Sequence, residues 1–245
     1  MRATVGTFNI LHGRNYQQYL KTREECIDLS LYSDAIRRME LDICGLNEVR
    51  NQENVEGLCN QARVIGEALG YNWLFARAID NRGGYYGNAL VTKYPILSHK
   101  VIPMVMPTEA RPEGLRHVED RVLLSADLQV EDTVVTVLIA HFGLNDCEMA
   151  LDVELVRREA SMHQNPVIFM GDLNFTPNAP HYRDLCGFME DSSSKVEGEN
   201  LTFPSIEPNQ KIDYLFTNLH CKVERAWVPE EIVSDHRPFV ATVSF

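Results

Sequence analysis

The stretch Pro166-Val167-Ile168-Phe169-Met170-Gly171-Asp172-Leu173-Asn174 decides how this chain reads. Val167 to Met170 is a short apolar run, as expected of a strand buried on both faces. A glycine ends the run, and an acid and an amide stand directly behind it. The end of a buried strand is where a rigid scaffold presents polar side chains.

Working outward, the arrangement recurs. His141 closes the apolar run Val134–Ala140, and Asp213 lies inside a strand over 212–217, beside Tyr214. Glu48 closes Leu41–Leu46, and Asn9 closes a first strand over 3–10. Asp235 and His236 follow Val233-Ser234 and precede Pro238-Phe239-Val240. Asp213 is the hardest to read as decoration, because a carboxylate buried in an apolar strand needs a cation or donors.

Further strands are expected over 41–47, 72–79, 86–92, 97–105, 119–130, 133–142, 222–228 and 238–244. Thr22 and Glu25 form a capping-box pattern that predicts a helix over 22–40. A second helix is expected over 53–69, closed by Gly70, and a third over 146–162 with Asp146 as N-cap. A short helix is expected near 181–187, and 191–200 reads as a polar surface loop. No internal repeat or low-complexity linker divides the chain, so residues 1–245 are read as one α/β domain of two packed sheets flanked by helices.

The 245 residues carry 23 basic and 35 acidic side chains, a net charge of −12. That balance argues against a general polyanion binder, since non-specific nucleic-acid affinity needs cations facing phosphates. No apolar run approaches the roughly 18 residues of a membrane span. The six cysteines show no CxxC pair, and Cys26, Cys44 and Cys59 sit in apolar patterns that predict buried free thiols. The chain opens on a strand pattern and not on an apolar signal segment, so a reducing, cytoplasmic setting and a monomer are expected. A GxSxG elbow, an HExxH zinc pair and a GxxxxGK[ST] phosphate loop are absent from the sequence.

Carboxylates, amides and two histidines at strand ends suit a hard divalent cation combined with acid–base chemistry. Magnesium takes oxygen ligands and typically only one or two carboxylates. Such an ion can polarise a phosphoryl group.

The segments Thr7-Phe8-Asn9-Ile10, Leu46-Asn47-Glu48-Val49, Gly87-Asn88-Ala89-Leu90, Ala140-His141-Phe142, Gly171-Asp172-Leu173-Asn174, Lys211-Ile212-Asp213-Tyr214 and Ser234-Asp235-His236-Arg237-Pro238 occur in one order along nearly the whole chain. In that order they resemble the endonuclease/exonuclease/phosphatase superfamily, which has the fold of pancreatic deoxyribonuclease. The resemblance implies a four-layer α-β-β-α sandwich, with two mixed β-sheets face to face and helices outside. It implies Mg2+ or Mn2+ held by Glu48 with Asn9 beside it and Asp235 near by. His236 would be the main catalytic histidine, held by Asp213. Asp172 would position or deprotonate the attacking water, or protonate the leaving group. Asn174 and His141 would donate to the phosphate. Arg121, Asn88 and Arg82 would contact the substrate.

The sequence also departs from the superfamily. A glutamine commonly precedes the glutamate; Asn47 keeps the amide on a shorter arm. Abasic-site endonucleases commonly carry an acid two residues after the first asparagine, where this chain has Leu11. They also carry a tyrosine in the segment where this chain has His141. The His141, GDLN and IDY forms are closer to the branch that holds sphingomyelinases, inositol-phosphate phosphatases and deadenylases.

Loops around the expected site carry Arg14, Tyr16 and Tyr19, then Arg82, then Arg111, Arg116 and His117. Arginine suits bidentate phosphate contact and tyrosine suits stacking on a ring. The expected activity is metal-dependent hydrolysis of a small phosphodiester or phosphomonoester. The alternative is a nuclease, which predicts that Arg14, Arg82, Arg111 and Arg116 line one basic groove. A non-catalytic binding module would require a broken catalytic set, and no key position is broken.

Overall fold

The structure is a computed structural model that describes residues 1–55, 58–81, 83–115 and 118–245. Two mixed six-stranded sheets stack face to face with helices outside. With strands numbered along the chain, the first sheet runs β11 (Lys222–Trp227), β12 (Phe239–Ser244), β1 (Arg2–Asn9), β2 (Ile43–Asn51), β4 (Gly84–Thr92), β3 (Asn72–Asn81). The second runs β5 (Ile96–Met104), β6 (Arg121–Val130), β7 (Thr133–His141), β8 (Val167–Asp172), β10 (Asp213–Thr217), β9 (Glu190–Asp191). The five α-helices among the described residues are α1 (Tyr16–Thr22), α2 (Leu29–Arg38), α3 (Gln61–Leu69), α4 (Asp146–Ser161) and α5 (Pro180–Cys186).

Side-chain alternation builds the layers. Along β8, Ile168 and Met170 face the other sheet, where they meet Val5 and Ile43, beside Leu124 and Ile139 of their own sheet. Val167 and Phe169 point the other way, toward Met149, Val153 and Val156 of α4 and Leu185 of α5. On the first sheet, Phe8 and Leu46 face outward onto Tyr32 and Ile36 of α2 and Ala62 and Ile65 of α3. A strand covered on both faces must be apolar throughout, which is why β8 reads as a continuous run.

Each sheet contains one parallel pair, β1 with β2 and β7 with β8. Their registers end on Asn9↔Asn47 and on His141↔Asp172. The antiparallel strand β10 begins where Asp213 pairs with Asp172. Strand ends from both sheets therefore meet at one edge of the sandwich. Gly171 permits the approach of β7 and β8 there, because a Cβ on it would lie 1.8 Å from the Ala140 carbonyl oxygen.

Several expected boundaries move. The helix expected over 22–40 is two helices. Thr22 ends α1, its hydroxyl bonded back to Gln18 O, and Asp28 caps α2 by accepting from Ser30 N. The intervening chain is drawn out by Asn15 N to Cys26 O at 2.7 Å and Asp28 N to Gly13 O at 2.8 Å. The helix expected over 53–69 starts only at Gln61, with Asn60 as its cap, because β2 runs on through Asn51. Asn145, and not Asp146, is the N-cap of α4. The stretch 191–200 is not simply surface loop: Asp191 and Ser192 are buried, and β9 pairs with β10. All six cysteines are free, but only Cys44 of the three expected inside is buried, while Cys26 and Cys59 are half-buried.

Candidate active site

A cleft of about 450 Å³ opens at the edge where the strand ends meet. Asp172 lies at its floor, 2 % exposed. Its Oδ2 accepts from Asn9 Nδ2 at 3.1 Å and lies 3.6 Å from His141 Nε2 and 3.7 Å from His236 Nε2. Its Oδ1 accepts from the Asn174 backbone N–H at 3.1 Å. Asn9 Nδ2 also donates to Glu48 Oε1 at 3.2 Å, so one amide joins two carboxylates from the two sheets.

His236 arrives from the loop before β12 and sits over Asp213, with Nδ1 2.9 Å from Asp213 Oδ2. That loop is fastened by Ser205 N to Asp235 O at 2.7 Å, Ser205 Oγ to Ser234 O at 2.6 Å and Arg237 N to Thr202 O at 2.7 Å. The Phe203 ring packs on the imidazole at 4.8 Å between centroids. Asp235 lines the cleft with Glu48, its carboxyl oxygen accepting from Ser234 Oγ.

Across the cleft, Arg121 Nη1 lies 3.1 Å from His141 Nδ1. A guanidinium only donates, so Nδ1 accepts and the proton sits on Nε2, facing Asp172. Arg121 also pairs with Glu119 at 3.0 Å.

Two asparagines tie the sheets together beneath these groups. Asn47 donates to Ala140 O at 2.9 Å and to Asn88 Oδ1 at 2.9 Å, and accepts from Asp172 N at 2.9 Å. Asn88 in turn donates to Val122 O at 3.0 Å. The shorter amide of Asn47 therefore reaches its partners, and Asn88 spends its side chain within the protein. Asn174 Nδ2 donates to Phe142 O at 3.0 Å.

The environments pull the ionisable groups apart. Burial raises the Asp172 carboxyl well above the usual carboxylate range, with Asp213 adding to this and His236 opposing it. Burial alone would raise Glu48 too, but a hydrogen bond from His12, the nearby His141 ring and Asn9 outweigh it and hold Glu48 far below its ordinary value. Burial pulls His236 down, yet Asp213 and Asp172 together raise it above an ordinary histidine. Burial and then Arg121 keep His141 neutral. Burial also raises Asp235.

The donor set fits a divalent cation. Glu48, Asp172, Asp213 and Asp235 converge on the site against Arg121 and His236 as cationic partners. The second oxygen of Asp213 is buried without a hydrogen-bond partner. Ligand atoms of Asp172, Asp213 and His236 also lie within 4.8 Å of one another. Asp213 Oδ2 and His236 Nδ1 are bonded to each other, however, so Glu48 and Asp235 are the more open oxygen ligands of the cleft. An excess of buried carboxylate over cation is costly unless an ion neutralises it.

The arginines named as a possible groove do not form one among the described residues. Arg14 lies against the Tyr19 ring at 4.4 Å and pairs with Glu25, while Arg111 donates to Met106 O. Arg82, Arg116 and His117 lie outside the described residues. Sequence reasoning passed over His12 and Phe203, and gave Lys211 no role of its own. Lys211, 2 % exposed, sits behind Asp213, with Nζ 3.3 Å from the Tyr214 ring centroid and 3.7 Å from Asp191. Its signal was a lysine abutting an apolar strand; His12 stood three residues beyond Asn9, before a glycine.

Known proteins resemble this chain at different levels. "Protein cwh43" of Schizosaccharomyces pombe is 26% identical over 142 residues, covering 56% of this chain and 13% of that protein. The chain thus spans only a small part of that relative. The Bacteroides thetaiotaomicron endonuclease/exonuclease/phosphatase family protein BtR318A superposes with a TM-score of 0.79 at 17% identity, covering 100% of this chain and 98% of that one. The mannosyl-6-phosphatase Bt3783 of Bacteroides thetaiotaomicron gives 0.78 at 17% identity, covering 99% and 100%. At these identities the solved structures show a shared fold. The sequence match is longer still: residues 6–236 fit the Endonuclease/Exonuclease/phosphatase family, and the chain belongs to that family of hydrolases.

Proposed function

We propose that this chain is a divalent-metal-dependent hydrolase of a small phosphodiester or phosphomonoester, acting by in-line attack of water on phosphorus. The observation that carries the reading is the position of Asp172, which has Asn9, His141 and His236 around one carboxylate oxygen and Asp213 behind His236.

Glu48 and Asp235 would hold Mg2+ or Mn2+, with Asn9 fixing the Glu48 carboxylate. The bound ion supplies charge to polarise the phosphoryl group. The remaining work falls to the chain's own groups. His236, charged through Asp213 and Asp172, binds a phosphoryl oxygen. His141 presents Nε2–H from the opposite side, with Arg121 behind it fixing the tautomer. Asp172, raised by burial, exchanges a proton with the attacking water or the leaving group. Asn174 lines the same cleft at the end of β8. Preorganised donors of this kind stabilise charge as it develops on phosphorus.

The compact cleft and the engagement of Arg14 and Arg111 elsewhere favour a small substrate over a long polyanion. The test is turnover of bis-p-nitrophenyl phosphate, p-nitrophenyl phosphate, abasic duplex, single-stranded RNA and sphingomyelin with Mg2+ and Mn2+. Hydrolysis of a small ester that needs added metal is expected, and Glu48→Ala should reduce it to background. Wild-type turnover by Glu48→Ala would refute the assignment of Glu48 to the ion.

A further inference from the structure

We infer that His12 is a positioning residue for Glu48, donating from Nδ1 to Oε2 and so presetting the carboxylate for its cation. This rests on the metal reading of Glu48 given above.

The backbone points to it first. Leu11, His12 and Gly13 take φ of 44°, 47° and 76°, consecutive left-handed residues of which only the last is a glycine. Residues bearing a Cβ avoid this region unless their surroundings hold them there, and such strain gathers at functional sites. Here the surroundings do hold them. Leu11 N donates to Asn9 Oδ1 at 3.0 Å, Gln61 Nε2 donates to His12 O at 2.6 Å, and Asp28 N donates to Gly13 O at 2.8 Å. A Cβ on Gly13 would sit 2.4 Å from Leu29 Cδ2, so the turn is packed as well as bonded. Asn9, which touches Glu48 directly, thus also shapes the turn that presents His12.

The ring chemistry then fixes the donor. His12 Nδ1 is buried without a formed hydrogen bond, and the acceptor it faces is Glu48 Oε2 at 3.4 Å. Its Nε2 lies 3.4 Å from Arg14 Nη2. Arginine has donors only, so Nε2 accepts and the proton resides on Nδ1, aimed at Glu48. A ring that instead ligated the ion through Nδ1 would have to turn an Nε2–H toward the guanidinium. Arg14 is anchored in its turn, since Glu25 lies 3.5 Å from Nη2 and Tyr32 OH donates to Arg14 O at 2.6 Å. Asn9 takes Oε1 of Glu48, His12 faces Oε2 and the Tyr86 hydroxyl also bonds the carboxylate, which leaves the remaining lone pairs for a cation. Groups that orient a metal-binding carboxylate typically change metal affinity 10- to 100-fold when removed.

The test is titration of Mn2+ into the substrate-free protein by calorimetry, with pulsed electron paramagnetic resonance of the bound ion. His12→Leu should weaken Mn2+ binding by about 10-fold or more. His12→Asn should recover most of the loss, because its Nδ2 stands as many bonds from Cβ as Nδ1 and asparagine tolerates a left-handed backbone. That variant also keeps the test alive if His12→Leu fails to fold. An unchanged Mn2+ affinity in His12→Leu overturns the inference, as does an equal loss in both variants. A directly bound nitrogen signal lost in His12→Asn would make His12 a ligand and overturn it as well. Glu48→Ala separates the two readings: if that variant binds Mn2+ like wild type, the metal reading of Glu48 fails, whatever His12 does.

Discussion

The two walls of the cleft carry the same functional group and treat it in opposite ways. On the first sheet, Glu48 receives donors on both oxygens and is held ionised far below its ordinary value. On the second, Asp172 shares its surroundings with Asp213 and is raised. Desolvation pushes both carboxyls up, so the partners decide the outcome. On the proposed reading, one wall keeps a permanent negative charge and the other exchanges a proton. Carboxyls driven apart in this way are a recognised signature of divided labour in catalysis.

The largest expected break in this contrast comes from His236→Ala, which removes the charge facing Asp172. Turnover of the best small ester should fall by at least about 10²-fold, the low end for a positioned acid–base group. Asp213→Asn is a sharper variant, because it leaves the imidazole in place and removes only its orienting carboxylate. A loss of roughly 10²-fold is expected there, with Mn2+ affinity kept, since the first wall is untouched. Equal loss of metal affinity would show that the walls do not divide the work.

Lys211→Met tests the footing of the second wall. The lysine is buried with Asp191, and removing it leaves that carboxylate without its cation, with only Tyr182 OH and Ser193 N as donors among the described residues. Stability should fall by about 3–5 kcal/mol, read as a lower denaturant midpoint. A loss below about 1 kcal/mol would mean that the pair is not needed there.

The smallest effect concerns Asp152 on α4, behind the second wall. Burial raises its carboxyl from 3.8 to about 7, with Glu148 contributing and Gly143 N–H and Arg121 opposing. A carboxyl that is harder to ionise when folded favours the folded state at low pH. The contribution of this group to stability is therefore lost as pH rises from about 4 through 7 and is level above that. Asp152→Asn cannot ionise, so its stability relative to wild type should climb over the same window, by about 2–4 kcal/mol. A difference independent of pH would show that Asp152 is ionised throughout.

Much of this was legible in the residues themselves. Apolar runs such as Val167–Met170 have no face to spare for water, so their ends and the polar groups there stand out. That made Asn9, Glu48, His141, Asp172, Asp213 and His236 visible, and the structure brings them to one edge. What stayed hidden depended on backbone angles or on long-range partners. The helix break at 23–28 comes from hydrogen bonds to the Gly13–Asn15 segment, which no local propensity contains. His12 acquires its place through a left-handed turn that a sequence pattern does not display. Asn88 was assigned to the substrate, yet its amide is drawn to Asn47 and to Val122 O across the sandwich, a matter of sheet packing alone.

That last contact has a mechanical consequence. Apolar layers hold two sheets together but resist sliding only weakly, because dispersion and water exclusion have little direction. Asn47 and Asn88 pin specific atoms of one sheet to specific atoms of the other beneath the cleft. They act as dowels in a joint: apolar packing is the glue, and the alignment is set just under the site. The spacing between Glu48 and Asp172 is then a property of two short amides, and it would drift if either were replaced by an apolar side chain of equal size.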